Sequence, residues 1–202
     1  MTGLRGGCLA LVVTGVLAAC ATTASRQACH GARPADELAQ LIVVADSTAA
    51  ALHQSGDTMS SPLRQYLRGV VDRVVALERC GRITTPADLR QAALVAYAAR
   101  TLGERTVDRA YGWSRLAVVR DSADRRNWRV MALAWDQLQV LQHKPQWFAT
   151  VVSCVTPILG RCTLAPLDTT RVSEAQRVEF GLPTLLEQRL RVDSLNRVRS
   201  SP

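Results

Sequence analysis

The chain has 202 residues, 48% hydrophobic and 21% charged, which is long enough for one domain with a real core and too apolar for a disordered chain. Its net charge is +8, yet Lys144 is the only lysine, and the arginines after Arg5 run from Arg26 to Arg199 with acids between them, as in Asp72–Arg73, Asp108–Arg109 and Asp124–Arg125. No run of five like charges occurs, so the basic balance reads as solvated helix faces and no nucleic-acid partner is expected.

Residues 1–5 carry one basic side chain, Arg5, and residues 8–17 form an uncharged apolar stretch too short to span a bilayer comfortably. That order reads as a secretory signal rather than a transmembrane helix. The segment ends Leu17-Ala18-Ala19-Cys20, which looks like the lipobox of bacterial lipoproteins. Small residues suit a peptidase before the cut, and the Cys20 thiol takes a diacylglyceryl group. Several acyl chains on one residue, palmitate among them, give stable anchoring. Domains are therefore expected as a signal peptide at 1–19, lipidated Cys20 with a small polar tether over 20–33, and one helical domain over 34–202. Ala21 after the cysteine favours the periplasmic face of the outer membrane, in the cell envelope. An ordinary signal peptide cut by coincidence before a cysteine is the rival.

Export changes the meaning of Cys29, Cys80, Cys154 and Cys162, an even set in an oxidising compartment. Four cysteines allow three pairings; Cys154–Cys162 is favoured because the two bracket a turn-rich segment, which leaves Cys29–Cys80 to staple the N-terminal arm to a helix end. Zinc is the competing use, but no Cys-x-x-Cys or His-x-x-x-His spacing supports it, and neither metal nor cofactor is expected.

Pro34 suits a first helical turn, with Asp36 and Glu37 at its positive end, and this helix runs to about His53. Gly56 and Asp57 mark a loop. A second helix opens at Ser61-Pro62, buries Leu63, Leu67, Val70, Val71, Val74 and Leu77, and stops at Cys80-Gly81. Thr85, Pro86 and Asp88 give the clearest start in the chain, an N-cap, a first-turn proline and a capping box. This third helix has an alanine-rich side (Ala92, Ala93, Ala96) that lets a neighbour approach closely. Further helices are expected over about 106–121 and 125–142. The second of these, with Trp128, Val130, Leu133, Trp135 and Leu138, is apolar most of the way round and reads as the buried centre. Residues 147–155 read as a β-branched strand that pairs with 161–167 across Pro157 and Gly160, a hairpin over about 147–167. A terminal helix over about 183–196 presents Leu185, Leu186, Leu190 and Leu195. The expected fold is mainly α, stacked antiparallel helices of a helical-repeat kind with one small C-terminal β-hairpin.

From Ile83 to about Asn196 the order of motifs resembles a bacterial domain family of unknown function. Thr84 to Asp88 with Ala92-Ala93 resembles the opening of its helical part. Asn127-Trp128 through Ala134-Trp135-Asp136-Gln137 resembles its central helix, which commonly carries Asp-Arg. His143-Lys144-Pro145-Gln146, with Trp147 to Val151 after it, resembles its Gly-Lys-Pro-Gln and Tyr-Gly-Thr-Gln segment. Ala165 to Asp168 and Arg177 to Pro183 resemble its tail. This sequence keeps Asp136, Lys144, Gln146 and Thr150 but has Gln137, Phe148, Ala149 and Val151 where arginine, tyrosine, glycine and glutamine are usual. The resemblance implies a helical core and no particular chemistry.

Residues that do chemistry are sparse. His30 falls in the tether and His53 near a helix end; neither has a partner in view. His143, beside Lys144 and seven residues after Asp136, is the suggestive one, a general base oriented by Asp136. Against that, Asp136 could pair with Arg129, and Lys144-Pro145-Gln146 could satisfy backbone at a turn. No Gly-x-Ser-x-Gly, phosphate loop or His-Glu-x-x-His occurs. Ser153 and Ser173 lack partners. Gly112 beside Trp113 reads as a close-packing contact, and Trp128 and Trp135, seven apart, as core. Three readings follow: an envelope-anchored module that binds a protein partner through a helix groove; a degenerate hydrolase-like enzyme using Asp136, His143, Lys144 and Gln146; or a purely structural envelope lipoprotein. The first is the leading expectation.

Overall fold

The computed structural model describes residue 29 and residues 33–54, 62–154 and 161–200. Residues 1–19, Cys20, His30, the loop containing Gly56 and Asp57 and the turn containing Pro157 and Gly160 lie outside the described residues.

Among the described residues five long helices form the N-terminal part: α1 (Pro34–Gln54), α2 (Pro62–Arg79), α3 (Pro86–Ala98), α4 (Glu104–Arg120) and α5 (Arg125–Leu141). Their starts follow the local chemistry read from the sequence. Asp36 and Glu37 occupy the first turn of α1. At α3 the Thr85 hydroxyl accepts from the Asp88 N–H at 3.0 Å while the Asp88 carboxylate accepts from the Thr85 N–H at 3.1 Å. Asp124 caps α5 by accepting from the Arg126 N–H at 2.9 Å. At the end of α2, Gly81 (φ 66°) lets its own N–H and that of Arg82 reach back to the Glu78 and Leu77 carbonyls.

Polar contacts between helix ends give the topology. Arg64 at the start of α2 donates to the Thr101 carbonyl just beyond α3, and Arg120 at the end of α4 donates to the Thr84 carbonyl just before α3. Gln142 after α5 donates to Glu104 at the start of α4, and Glu37 at the start of α1 accepts from Arg73 near the end of α2. Consecutive helices are thus antiparallel, and α2 and α4 run in the same direction on either side of α3. The core contains Leu38, Leu67, Val74, Ala92, Val95, Ala96 and Ala110. Its centre is α3, which touches α1, α2, α4 and α5; the expectation that the 125–142 helix is central is corrected. Alanines allow that close approach, whereas α5 uses part of its circumference to carry the C-terminal unit.

That unit departs most from the sequence reading. The hairpin is short, with β1 (Val152–Cys154) and β2 (Cys162–Leu164) antiparallel and Cys154 opposite Cys162. Residues 147–150 do not continue the strand: the N–H groups of Trp147, Phe148 and Thr150 turn inward to Asp136, which removes them from ladder pairing. A short helix, α6 (Glu174–Glu179), was not expected; Ser173 starts it in a capping box with Gln176, so that serine has a partner after all. The last helix, α7 (Leu185–Ser200), turns Gln188 and Val192 inward and leaves Leu186 67% and Leu190 54% exposed, the reverse of the expected leucine face. Its rotation is set by Asn196, whose side-chain amide accepts from the Cys162 N–H at 2.7 Å and donates to the Cys162 carbonyl at 3.0 Å. Both favoured disulfides are present, Cys29–Cys80 and Cys154–Cys162. The fold is mainly helical with one small hairpin, and no helix among the described residues is long and apolar enough to cross a membrane.

Candidate functional site

The four residues weighed as a catalytic set separate into two pairs that do different structural work. Asp136 is fully buried on α5, and its carboxylate accepts from the N–H groups of Trp147 at 2.7 Å, Phe148 at 3.0 Å and Thr150 at 2.9 Å, and from the Thr150 hydroxyl at 2.8 Å. Four donors use the acceptor capacity of a carboxylate, so no lone pair is left to orient a histidine. Burial raises its pKa above the usual carboxylate range, and those four donors pull it back. It does not pair with Arg129. Gln146, also fully buried, accepts from the Val151 N–H at 2.8 Å and donates to the Val151 and Ala165 carbonyls at 3.1 and 2.9 Å. Its side chain serves as a missing piece of sheet between the turn and the hairpin.

His143 and Lys144 are exposed, and their side chains make no hydrogen bond to this cluster. His143 is the left-handed residue (φ 57°) that closes α5: its N–H donates to the Val140 carbonyl at 3.0 Å and that of Lys144 to the Gln139 carbonyl at 2.8 Å. The Lys144 ammonium bonds to Gln142 at 3.1 Å. The set does not converge on one cavity, and the Asp136–His143 pairing is corrected by the backbone donors that occupy Asp136.

Arg177, which no local sequence pattern marks, completes the inner cluster. This arginine, 3% exposed, donates to the Phe148 and Pro183 carbonyls. Desolvation lowers its pKa, against the pull of Glu174 and Asp136. Phe148 is therefore gripped at its N–H by Asp136 and at its carbonyl by Arg177, with Ala149 between them in a left-handed conformation (φ 50°). The tryptophans expected in the core are half-buried and act as glue: Trp128 stacks on Phe180 at 4.5 Å, and Trp135 lies between Tyr111 at 5.0 Å and Trp147 at 4.8 Å.

The concave surface lies elsewhere, between α2 and α4. A cleft of about 530 Å³ is lined by Arg68, Val71, Asp72, Leu102, Arg105 and Arg109 among others, and a second of about 440 Å³ by Val75, Glu78, Arg79, Arg109, Gly112 and Trp113 among others. Both are lined by Arg109 and lie side by side between α2 and α4. The walls of the second are tied beneath by the Trp113 indole N–H donating to Glu78 at 2.6 Å. Nothing lies within 4 Å of where a Gly112 Cβ would stand, so the reading of Gly112 as a packing contact is corrected: it lines open space. The sequence did hold a signal for these clefts, a helix-interior glycine on the same stripe as Arg105, Arg109 and Leu116, but burial was needed to tell floor from core. Among the described residues, no cluster of His, Cys, Asp and Glu is arranged to hold a metal ion. No family model matches the chain, no curated protein is similar to it, and no solved structure resembles its fold.

Proposed function

We propose that this chain is an exported lipoprotein, cut before Cys20 and anchored by acyl chains on it, whose helical domain binds an envelope partner through the clefts between α2 and α4. The observation that carries the binding reading is the pair of adjacent clefts between α2 and α4, lined by arginines that form no ion pair with another described residue and by Gly112. Export is supported by the cysteines: the four that follow Cys20 are all joined in pairs, as suits an oxidising compartment. The Cys29–Cys80 bond ties the chain nine residues after Cys20 to the end of α2, so the tether length between lipid and domain is about 30 Å at most. The buried, fully bonded state of Asp136 and Gln146 favours a binding module over the hydrolase-like alternative. We also read the chain as a divergent member of the family of unknown function. That family's two motif glycines fall at His143 and Ala149, the two non-glycine residues with positive φ among the described residues, which supports the reading.

Two measurements test this. Intact mass of the form purified from membranes is expected to lack residues 1–19, to carry acyl mass on Cys20 and to show two disulfides. A form retaining those residues without acyl mass would end the lipoprotein reading. Pull-down from membranes is expected to recover a partner with the native chain and to lose it with Arg105→Glu/Arg109→Glu; identical recovery by both would remove these clefts from the binding role.

A further inference from the structure

The two edges of the hairpin end differently. The Val151 carbonyl accepts from the Ala165 N–H, and residues two apart in a strand point their main-chain groups the same way. Ser153 therefore bonds to β2, while Val152 and Cys154 turn their N–H and carbonyl groups outward. On β2 the outward residue opposite Cys154 is Cys162, and the Asn196 side chain takes both its N–H and its carbonyl, with α7 packed along that edge. No helix packs along β1 in that way, and the outward groups of Val152 and Cys154 have no partner among the described residues.

Proteins ordinarily block an open strand edge with charge, proline, a bulge or a covering segment. β1 has none of these among the described residues. Its one-to-one register with β2 excludes a bulge, it contains no proline, and residues 145–160 carry no charged side chain. Symmetry names the occupant. A second β1 laid antiparallel, Ser153 against Ser153, sets Val152 of each copy opposite Cys154 of the other, and both pairs exchange N–H and carbonyl bonds. In a chain of net charge +8, an edge inside an uncharged segment lets two copies meet without setting arginine against arginine. We propose that two copies of this chain pair along β1, joining their two-stranded sheets into one of four strands. The pairing uses no residue of the clefts between α2 and α4 and stands whether or not they bind a partner. Exposed Ser153 lies on the twofold axis, at a non-hydrogen-bonded position where the two side chains come within about 5 Å.

Sedimentation of the full chain purified from membranes, its disulfides intact, is expected to show protein mass rising from one copy towards two between about 1 and 300 µM. Val152→Pro removes an outward N–H and no bond to β2, and proline is tolerated at such an edge, so self-association should weaken about tenfold or more with the helical circular dichroism unchanged. Ser153→Lys and Ser153→Glu put like charges on the axis, and each should have the same effect at low salt. Mixing those two variants is expected to restore the pair as a heterodimer, a rescue that damage to the fold could not produce. A mass of one copy throughout, even in a chain that captures an unrelated extended peptide at β1, would overturn the proposal. Self-association indifferent to Val152→Pro, or a Lys and Glu mixture that stays unpaired, would overturn it as well.

Discussion

Where the α1–α5 bundle packs Leu67, Val74, Val95, Ala96 and Ala110 against one another, the C-terminal unit has a small apolar cluster (Ala132, Phe148 and Leu182, edged by Trp135, Trp147 and Phe180) and hangs its backbone on side chains. Asp136, Gln146, Arg177 and Asn196 each bond main-chain groups rather than one another. Apolar packing is non-directional and degrades gradually, because neighbours relax into a lost methylene. A carboxylate matched to four donors does not degrade gradually: remove one oxygen and buried N–H groups lose their only partner. The bundle is therefore tolerant in detail, and the C-terminal unit depends on a few irreplaceable atoms.

The largest expected effects test that contrast directly. Leu67→Ala and Asp136→Asn are each expected to lower unfolding free energy by about 2–4 kcal/mol, the first through a cavity and the second because an amide NH₂ meets N–H donors. Hydrogen exchange separates them. Leu67→Ala raises exchange throughout the bundle, whereas Asp136→Asn raises it in 146–167 first, with the bundle still protected. Uniform loss of protection in both variants would mean that the two regions unfold as one and that the contrast is only structural. Gln146→Ala is expected to cost about 2 kcal/mol, since the Val151 N–H and two carbonyls lose their partner in a site closed to water, and its exchange pattern should match that of Asp136→Asn.

The same contrast explains what could be read from the sequence. In the bundle, structure follows from periodicity and caps: Pro34, Pro62, Thr85-Pro86-Ala87-Asp88 and Gly81 mark ends within a residue or two of where they lie. The cysteine pairing was legible because Cys154 and Cys162 bracket a segment rich in turn-forming residues. In the C-terminal unit the determinants are long-range bonds from Asp136 to residues eleven to fourteen positions on and from Arg177 back to Phe148, twenty-nine positions away. No local pattern announces them. Strand propensity in 147–150 lost to that carboxylate, and the leucines of α7 lost to Asn196. The site suffered in the same way: Asp136 and Gln146 looked chemical because they are polar and close in sequence to His143, whereas the clefts between α2 and α4 are lined by ordinary arginines that only the tertiary arrangement sets side by side.

Backbone strain offers a gentler probe of the same boundary. His143 and Ala149 hold left-handed conformations that glycine adopts without steric cost, so His143→Gly and Ala149→Gly are each expected to raise stability by about 0.5–1 kcal/mol in denaturant titration. Ala149 is fully buried beneath the Asp136–Arg177 grip, and its effect should vanish in the Asp136→Asn background if the grip is what imposes the conformation; His143 belongs to the end of α5 and should keep its effect there. On the bundle side, Gly112→Ala is expected to stabilise by a similar amount, because a methyl group there meets nothing. A gain in stability accompanied by weaker partner recovery from membranes would mark Gly112 as retained for the surface between α2 and α4 and not for the fold.

The smallest expected effect concerns the seam where the bundle turns from α4 into α5. Asp124 caps α5 and receives Arg90 at 2.7 Å and Arg126 at 2.8 Å. Its hydrogen bonds to Arg126, followed by the charge of Arg90, hold its carboxyl well below the usual carboxylate range. A depressed folded-state pKa means that the stabilisation is complete above the unfolded value, about 3.9, and is lost as pH falls through the folded one. Asp124→Asn keeps a capping oxygen and removes the charge, so at neutral pH it should cost less than about 1 kcal/mol, most of it screened by high salt. Since asparagine does not titrate, the two proteins should converge in stability as pH falls below about 4. A deficit that instead persists unchanged into acid would assign the role of Asp124 to capping geometry alone and leave the arginine contacts without energetic weight.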